Sequence, residues 1–244
     1  MVYPHSGLLV WFGRGQKGDA QYLRAWRDAP VTYTSEEIND VNWAADRYEV
    51  ILGQDSSGVL FNHAAELTLY NRFYPREVMS VVSDYSLEGR TVQVGDRVLQ
   101  RIALLEYEGL PLLEILTMNL ITEVIQEPRR VGFTYTTTAV HSEIGEWSPR
   151  VEWRENNEVA LVIEVVSRAD PKGLAFIQRR TRQLQLHAHK LSIQYFLAQL
   201  NGKPAMPALP FARRLPKLAP VALALLLIPI LILFGARSTL HSEK

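Results

Sequence analysis

RVGFTYTTT (130–138) and EVALVIEVVSR (158–168), followed by AFIQRRTRQLQLHAHKLSIQYFLAQL (175–200), contain two different periodicities. In the first segment Val131, Phe133, Tyr135 and Thr137 share one face of a period-two pattern. In the second, Val159, Leu161, Ile163 and Val165 share a face, with Ala160, Val162, Glu164 and Val166 opposite. Both are predicted strands, since β-branched and aromatic residues pack well on a pleated surface. The third segment repeats near 3.6 residues. Ile177, Leu184, Ala188, Leu191, Tyr195 and Ala198 form a stripe, widened by Phe176, Leu186, Ile193, Leu197 and Leu200. Arg179, Arg180, Arg182 and Lys190 supply its polar side, and Asn201-Gly202 gives a stop signal. A helix is therefore predicted over 171–200.

Upstream, VMSVVSDY, TVQVGDRVLQRIALL and LLEILTMNLITEVIQE lie between 78 and 127 and read as further strands. The turns EGR, VGD, EPRR and ENNE are short, so the pairing is predicted to be antiparallel, with five to seven strands in all. DRYEVILG (46–53) reads as a strand. SSGVLFNHAAELTLYNRF (56–73) reads as a helix capped by Ser56 or Ser57, with Leu60, Ala64, Leu67 and Asn71 on one face. In the mixed segment 1–45, GLLVWF reads as a strand and AQYLRAWRD as a short helix. The predicted fold class is α+β: a curved antiparallel sheet gripping a long C-terminal helix, followed by one transmembrane helix. This is the helix-grip topology of the START lipid-transfer and birch-pollen-allergen superfamily, an analogy of element order.

The chain has 244 residues, with 26 basic and 26 acidic, so its formal charge is zero. That total hides two parts. From Lys203 onward there are six Lys/Arg and one Glu, while the preceding residues hold 20 basic and 25 acidic. An acidic body gives no ground for nucleic-acid binding. The chain has no cysteine, which excludes disulfides, thiolate metal sites and a cysteine nucleophile. The basic part contains LAPVALALLLIPILILFGA (218–236), with no charge and a mean hydropathy of about +2.7. Nineteen residues of helix span about 28 Å, close to a bilayer core of roughly 30 Å. Leu218, Leu226, Ile230 and Phe234 represent this predicted anchor, and Pro229 is a kink that membrane helices tolerate. Arg213, Arg214 and Lys217 just precede it and are predicted to meet lipid headgroups. Three Lys/Arg before the span and two after place the body on the cytoplasmic side, and MVYPHSGLLVWFGRG lacks the pattern of a signal peptide. The domain reading is an N-terminal extension and start of domain (1–45), a helix-grip domain (46–202), a Pro-rich basic linker (203–217), the span (218–236) and a short tail (237–244).

Several strings resemble a family: LRAWRDAPVTY (23–33), DRYEVILGQDSSGVLFNHAAELTLYNRFYP (46–75), VGDRVLQRI (94–102), VGFTYTTTAVHSEIGEW (131–147), EVVSRADP (164–171) and FLAQL (196–200). They are similar to the domain-of-unknown-function family numbered nineteen-ninety, found in bacteria and plants. The most specific piece resembles G-F-x-Y-G-T, then His, then G-E. Gly132, Phe133, Tyr135, Thr137, His141, Gly145 and Glu146 match it, and Thr136 stands where the family has Gly. The resemblance implies a helix-grip fold and carries no catalytic assignment.

His141, Glu143 and Glu146 fall in what reads as a connection between strands. A metal or acid/base cluster is one reading, but H-x-E-x-x-E matches no zinc pattern and extended backbone splays the ligands. A turn whose polar groups satisfy backbone amides is preferred. Glu164 and Arg168 share a strand face, as an ion pair or at a cavity rim, with Glu123 or Glu146 as cross-strand partners for Arg168. His187 and His189 do not share a helix face, which argues against a metal pair, and His63 reads as a partly buried core histidine. Gly13, Gly15 and Gly18 match GxGxxG formally, but DAPVTYTSEEIND interrupts the βαβ unit that a dinucleotide site needs. The tryptophans Trp11, Trp26, Trp43, Trp147 and Trp153 read as core cover, or as interfacial anchors.

The candidate ligand-binding set is Tyr135, Thr137, His141, Gly145, Glu146, Glu164 and Arg168, with no catalytic residue, cofactor or metal assigned. The leading expectation is a membrane-tethered, non-catalytic module for a hydrophobic ligand such as a lipid, isoprenoid, quinone or pigment. It requires a continuous apolar pocket of several hundred Å³. The alternatives are an accessory subunit of an integral membrane complex, and a cyclase- or hydratase-like enzyme with His141 and Glu146 in the cavity.

Overall fold

The computed structural model describes residues 4, 7–11, 18–39, 43–75, 79–107, 110–169, 175–203 and 213–214. The apolar run 218–236 and Lys217 lie outside them, as do residues 12–17 of the glycine-rich turn and the start of the predicted helix at 171–174. Among the described residues no helix is long and apolar enough to cross a membrane.

Strand β1 (Leu8–Trp11) and helix α1 (Asp19–Ala25) come first. Then follow β2 (Ala44–Gln54), α2 (Val59–Leu69), β3 (Met79–Ser83), α3 (Asp84–Glu88), β4 (Arg97–Tyr107) and β5 (Leu110–Glu127). Strands β6 (Arg130–Thr137), β7 (Glu143–Trp153) and β8 (Glu158–Ala169) complete the hairpins, and the long helix α4 (Ala175–Leu200) and a short strand β9 (Arg213–Arg214) close the order. The continuous sheet runs β2-β8-β7-β6-β5-β4-β3, with β1 beside β5 and β9 beside β4. Every neighbour on that path is antiparallel, and only β4 with β9 is parallel. Register shifts at Ile51/Gly53, Ala103/Leu105 and Ile121/Glu123 let the strands bend, which a sheet needs to curl around a helix.

The inward faces carry the core. Val131, Phe133, Tyr135, Trp147, Val151, Val159, Leu161, Ile163 and Val165 pack with Phe61 and Ala64 of α2 and Phe196 of α4. Phe196 stacks on Phe73 with ring centres 5.0 Å apart, and Phe73 meets Trp147 edge-on at 5.0 Å. A second cluster joins Leu23 and Trp26 to Leu99, Leu116 and Met118, so the segment before residue 46 is packed onto the sheet. Beneath it Arg101 bonds Asp19 and, at 2.8 Å, Glu114, and all three are buried. Apolar periodicity cannot report such an ion triad, since its members interrupt the pattern.

Four details differ from the sequence reading. EIGEWSPRVEW, whose start was expected to be a connection between strands, is a strand, β7, in the middle of the sheet; Pro149 has no amide to donate, and the β6–β7 ladder is broken opposite it, between Gly132↔Arg150 and Tyr135↔Trp147. VMSVVSDY divides into β3 and α3 because Ser83 caps a helix, accepting from the Ser86 amide while the Ser86 hydroxyl accepts from the Ser83 amide. Helix α2 is held at its start by neither Ser56 nor Ser57. Asp55 accepts from the amides of Ser57, Gly58 and Phe61 at 2.7–2.9 Å. His63 is exposed, because Phe61, Ala64, Ala65 and Thr68 form the buried face of α2.

Candidate functional site

The helix α4 crosses the inward face with Gln185, Ala188, His189, Ser192 and Phe196 toward the sheet. At one end of the sheet the two layers leave a partly open cavity of about 90 Å³. Tyr74, Met79, Ile102, Leu104, Ile115, Trp147, Val165 and Ala188 give it apolar walls. Gln100, Tyr135, Thr137, His141, Ser142, Glu143, Ser167, Gln185 and His189 add polar groups. Strand alternation explains the set: Tyr135 and Thr137 on β6, Glu143, Gly145 and Trp147 on β7, and Val165 and Ser167 on β8 all occupy inward positions.

Gly145 lets β7 and β8 approach at the cavity wall. A Cβ there would lie 2.1 Å from the Val166 carbonyl oxygen, and the Gly145 amide donates to Thr137 Oγ1 at 2.9 Å. Gly132 is similarly confined, its Cβ position 2.6 Å from the Pro149 carbonyl oxygen. Thr136 needs no such approach; its hydroxyl pairs with Thr122 at 3.0 Å.

The polar groups of the cavity are held mostly uncharged. Burial pushes the Glu143 carboxyl up to about 7, with Arg182 pulling it down and Asp46 pushing it up in smaller measure. Burial pushes His141 down to about 4, against a smaller opposing effect of its bond to the Glu143 backbone. His141 Nδ1 lies 3.0 Å from the Glu143 amide nitrogen and 3.1 Å from the Glu143 carbonyl oxygen, so it accepts from the amide in one tautomer and donates to the carbonyl in the other. Burial also pushes His189 down to about 4. Gln100 Nε2 donates to the Tyr135 hydroxyl at 3.2 Å, and Tyr135 is in hydrogen-bonding contact with Tyr74. The phenols of both are raised by burial first of all. Among the described residues, buried Trp147 Nε1 and His189 Nδ1 find no hydrogen-bond partner. A carboxyl near neutrality beside a neutral imidazole can donate to, or accept a proton from, a bound polar group.

Of the residues expected here, Tyr135, Thr137, His141 and Gly145 line the cavity. Glu146 contributes to the wall, but its carboxylate accepts from the Tyr33 hydroxyl at 2.7 Å, so Glu143 is the acid that stands in the cavity. Glu164 and Arg168 share a strand face and each forms an ion pair, on the face of β8 turned away from the cavity. Glu164 takes two hydrogen bonds from Arg150, at 2.6 and 2.9 Å, and Arg47 at 3.2 Å. Arg168 pairs with Glu37 at 2.7 Å and lies over the Trp43 ring, rather than meeting Glu123 or Glu146. Trp26 and Trp147 are core residues, and Trp153 donates to the Asp55 carbonyl at 2.9 Å. The backbone of Arg213 and Arg214 forms β9, while Leu218, Leu226, Ile230 and Phe234 lie outside the described residues. Among the described residues no group of acids and histidines is placed to hold a metal ion.

Tyr74, Gln100, Glu143, Gln185 and His189 were not among the expected site residues. Gln185, His189 and Ser192 interrupt the apolar stripe of α4, yet with Phe196 they recur at helical spacing and mark the face toward the sheet. The cavity is also smaller than the several hundred Å³ expected, because Phe73, Trp147 and Phe196 fill the rest of the space between layers. A larger hollow of about 540 Å³ lies along β3 and α3 and is lined by polar groups such as Asn71, Arg72, Ser86 and Arg90.

A curved antiparallel sheet wrapped on a long C-terminal helix, with a cavity between them, defines a helix-grip protein. The chain belongs to the family described as Domain of unknown function (DUF1990), whose model matches residues 29–195. No curated protein matches it. Among solved structures, a hypothetical protein from Helicobacter pylori is similar at 12% identity, covering 69% of this chain and 95% of its own, with a TM-score of 0.45. A major latex-like protein from Panax ginseng is similar at 15% identity over 60% of this chain and 98% of its own, TM-score 0.35. A protein of unknown function from Staphylococcus aureus is similar at 11% identity over 67% of this chain and 98% of its own, TM-score 0.38. At these scores they are similarities of outline, and the architecture rests on the strand order itself.

Proposed function

We propose that this chain is a membrane-tethered, non-catalytic binding module that holds a hydrophobic small molecule between its sheet and α4. The observation that carries this reading is the cavity itself, apolar-walled and with a few convergent polar groups, in the layer where a helix-grip fold leaves space. Its size narrows the ligand. An enclosed volume of about 150 Å³ holds a benzene-sized molecule, so about 90 Å³ holds only a handful of non-hydrogen atoms. The ligand therefore places its polar end-group beside Glu143, His141 and Tyr135, and its apolar remainder leaves through the mouth. Tethering is supported by the charge-free run 218–236 and its basic flank.

The test is solvent extraction of the full chain purified from membranes, with mass spectrometry of what co-purifies. An apolar molecule present in the wild type and absent from Ala188→Phe, which fills the cavity, is the expected result. A wild type that yields nothing, or a ligand retained in folded Ala188→Phe, overturns it. Glu143 and His141 favour one second reading, acid–base catalysis on a hydrophobic substrate. In that case the extracted molecule is converted on incubation with wild type and not with Glu143→Gln.

A further inference from the structure

The cavity and β9 lie at the same end of the sheet. Strand pairing ties the cavity lining together: Met79 faces Ile102, Ile102 faces Ile115, and Gly145 faces Ser167. Leu104, the last of the β4 residues on the cavity wall, directly precedes Leu105 and Glu106, which pair with Arg213 and Arg214. From Arg214 only four peptide steps reach Leu218, a distance of at most about 14 Å. The apolar run thus begins, in sequence, four residues after the strand that pairs beside the cavity wall. The opposite end is far away. Strand β5 continues from Ile115 to Glu127, about 40 Å at the rise of an extended strand.

We propose that the cavity end of the domain rests on an anionic lipid bilayer, with the cavity mouth turned to the membrane. This orientation rests on the tether proposed above and adds what the tether is for: an apolar ligand can pass between bilayer and cavity without crossing water. Charge supports it. In the sequence, Arg213, Arg214 and Lys217 precede the apolar run as a basic flank, which anionic lipid phosphates would attract. Large apolar side chains are also exposed elsewhere, at Ile51, Val59, Tyr70, Leu87 and Val94. They are separate single residues, which soluble surfaces commonly carry.

The absence of cysteine makes single labels clean. Glu36→Cys lies next to Glu37, which pairs with Arg168 near the cavity end; Glu155→Cys lies in the β7–β8 turn at the far end. Both positions are exposed. The full chain carrying a fluorophore at one site is reconstituted into vesicles of phosphatidylcholine with phosphatidylglycerol and a headgroup acceptor. Energy transfer at position 36 is expected to exceed that at 155 by at least about threefold, given the length of the sheet. Equal transfer, or more from 155, overturns the orientation. Carbonate washing separates this from failure of the tether: retention with the wrong order refutes the orientation alone, and release of the whole chain refutes the tether and the orientation with it.

Discussion

At the end of the sheet away from the cavity, Asp55 accepts three backbone amides, Arg90 grips Asp96 with two hydrogen bonds at 2.6 and 2.7 Å, and Arg154 bridges Glu158 and Glu49. At the cavity end, Trp147 Nε1 and His189 Nδ1 have no partner among the described residues, and Glu143 feels Arg182 less strongly than its own burial. Buried polar groups without partners cost stability, and native proteins tolerate them mainly where a site requires them. The contrast assigns different work to the two ends: the far one closes the fold, and the near one keeps polar groups available.

The sharpest way to break this contrast is to weaken the core between the two ends. Phe196 is fully buried against Phe73, and Phe196→Ala is expected to cost about 3–5 kcal/mol in urea unfolding. A cost below about 1 kcal/mol would mean that α4 does not pack on this face. Next comes Gly145→Ala. Its methyl group meets the backbone of β8, which cannot yield like a flexible side chain, so a loss of about 1–3 kcal/mol is expected. Full wild-type stability would refute the close approach of β7 and β8.

A smaller effect belongs to the cavity groups and has a sign. Glu143, raised from its ordinary 4.5 to about 7, holds its proton more tightly folded than unfolded. Its contribution to stability is complete below about pH 4.5 and is lost as pH rises through 7. His141 and His189, lowered from 6.5 to about 4, act in the opposite sense: their contribution is complete above pH 6.5 and is lost as pH falls through 4. Thermal unfolding across pH 3 to 9 should therefore show Glu143→Gln gaining on wild type on the alkaline side, with the acid side unchanged. Parallel curves would place Glu143 in water.

Much of the architecture was legible because it is written in periodicity. Tyr135, Thr137 and Val165 were placed on their faces by alternation alone, and the long helix by its apolar spacing. What was hidden shares one cause. Reading the segment around His141 and Glu146 as a connection hid the start of β7, and with it the inward position of Glu143. Gln185, His189 and Ser192 are polar, so a stripe drawn through apolar residues passes beside the sheet-facing side of α4. A site is built where polar residues interrupt apolar patterns, so a search for apolar faces reads past it. Strand alternation also left Glu164 and Arg168 undecided, because period two groups residues on a face without saying which face is inward.

That ambiguity supplies the mildest prediction. Glu164 is bound by Arg150 and Arg47 on the outward face, where its side chain remains 40% exposed. Solvent screens such pairs, so Glu164→Gln should change stability by at most about 1 kcal/mol. Arg150 keeps Glu152 at 2.6 Å, which limits the loss further. Ligand recovery in the extraction assay should equal wild type, because the sheet itself separates Glu164 from the cavity. A loss of ligand in a fully folded Glu164→Gln variant would mean that the outward face takes part in binding, and the division between the two faces of β8 would have to be abandoned.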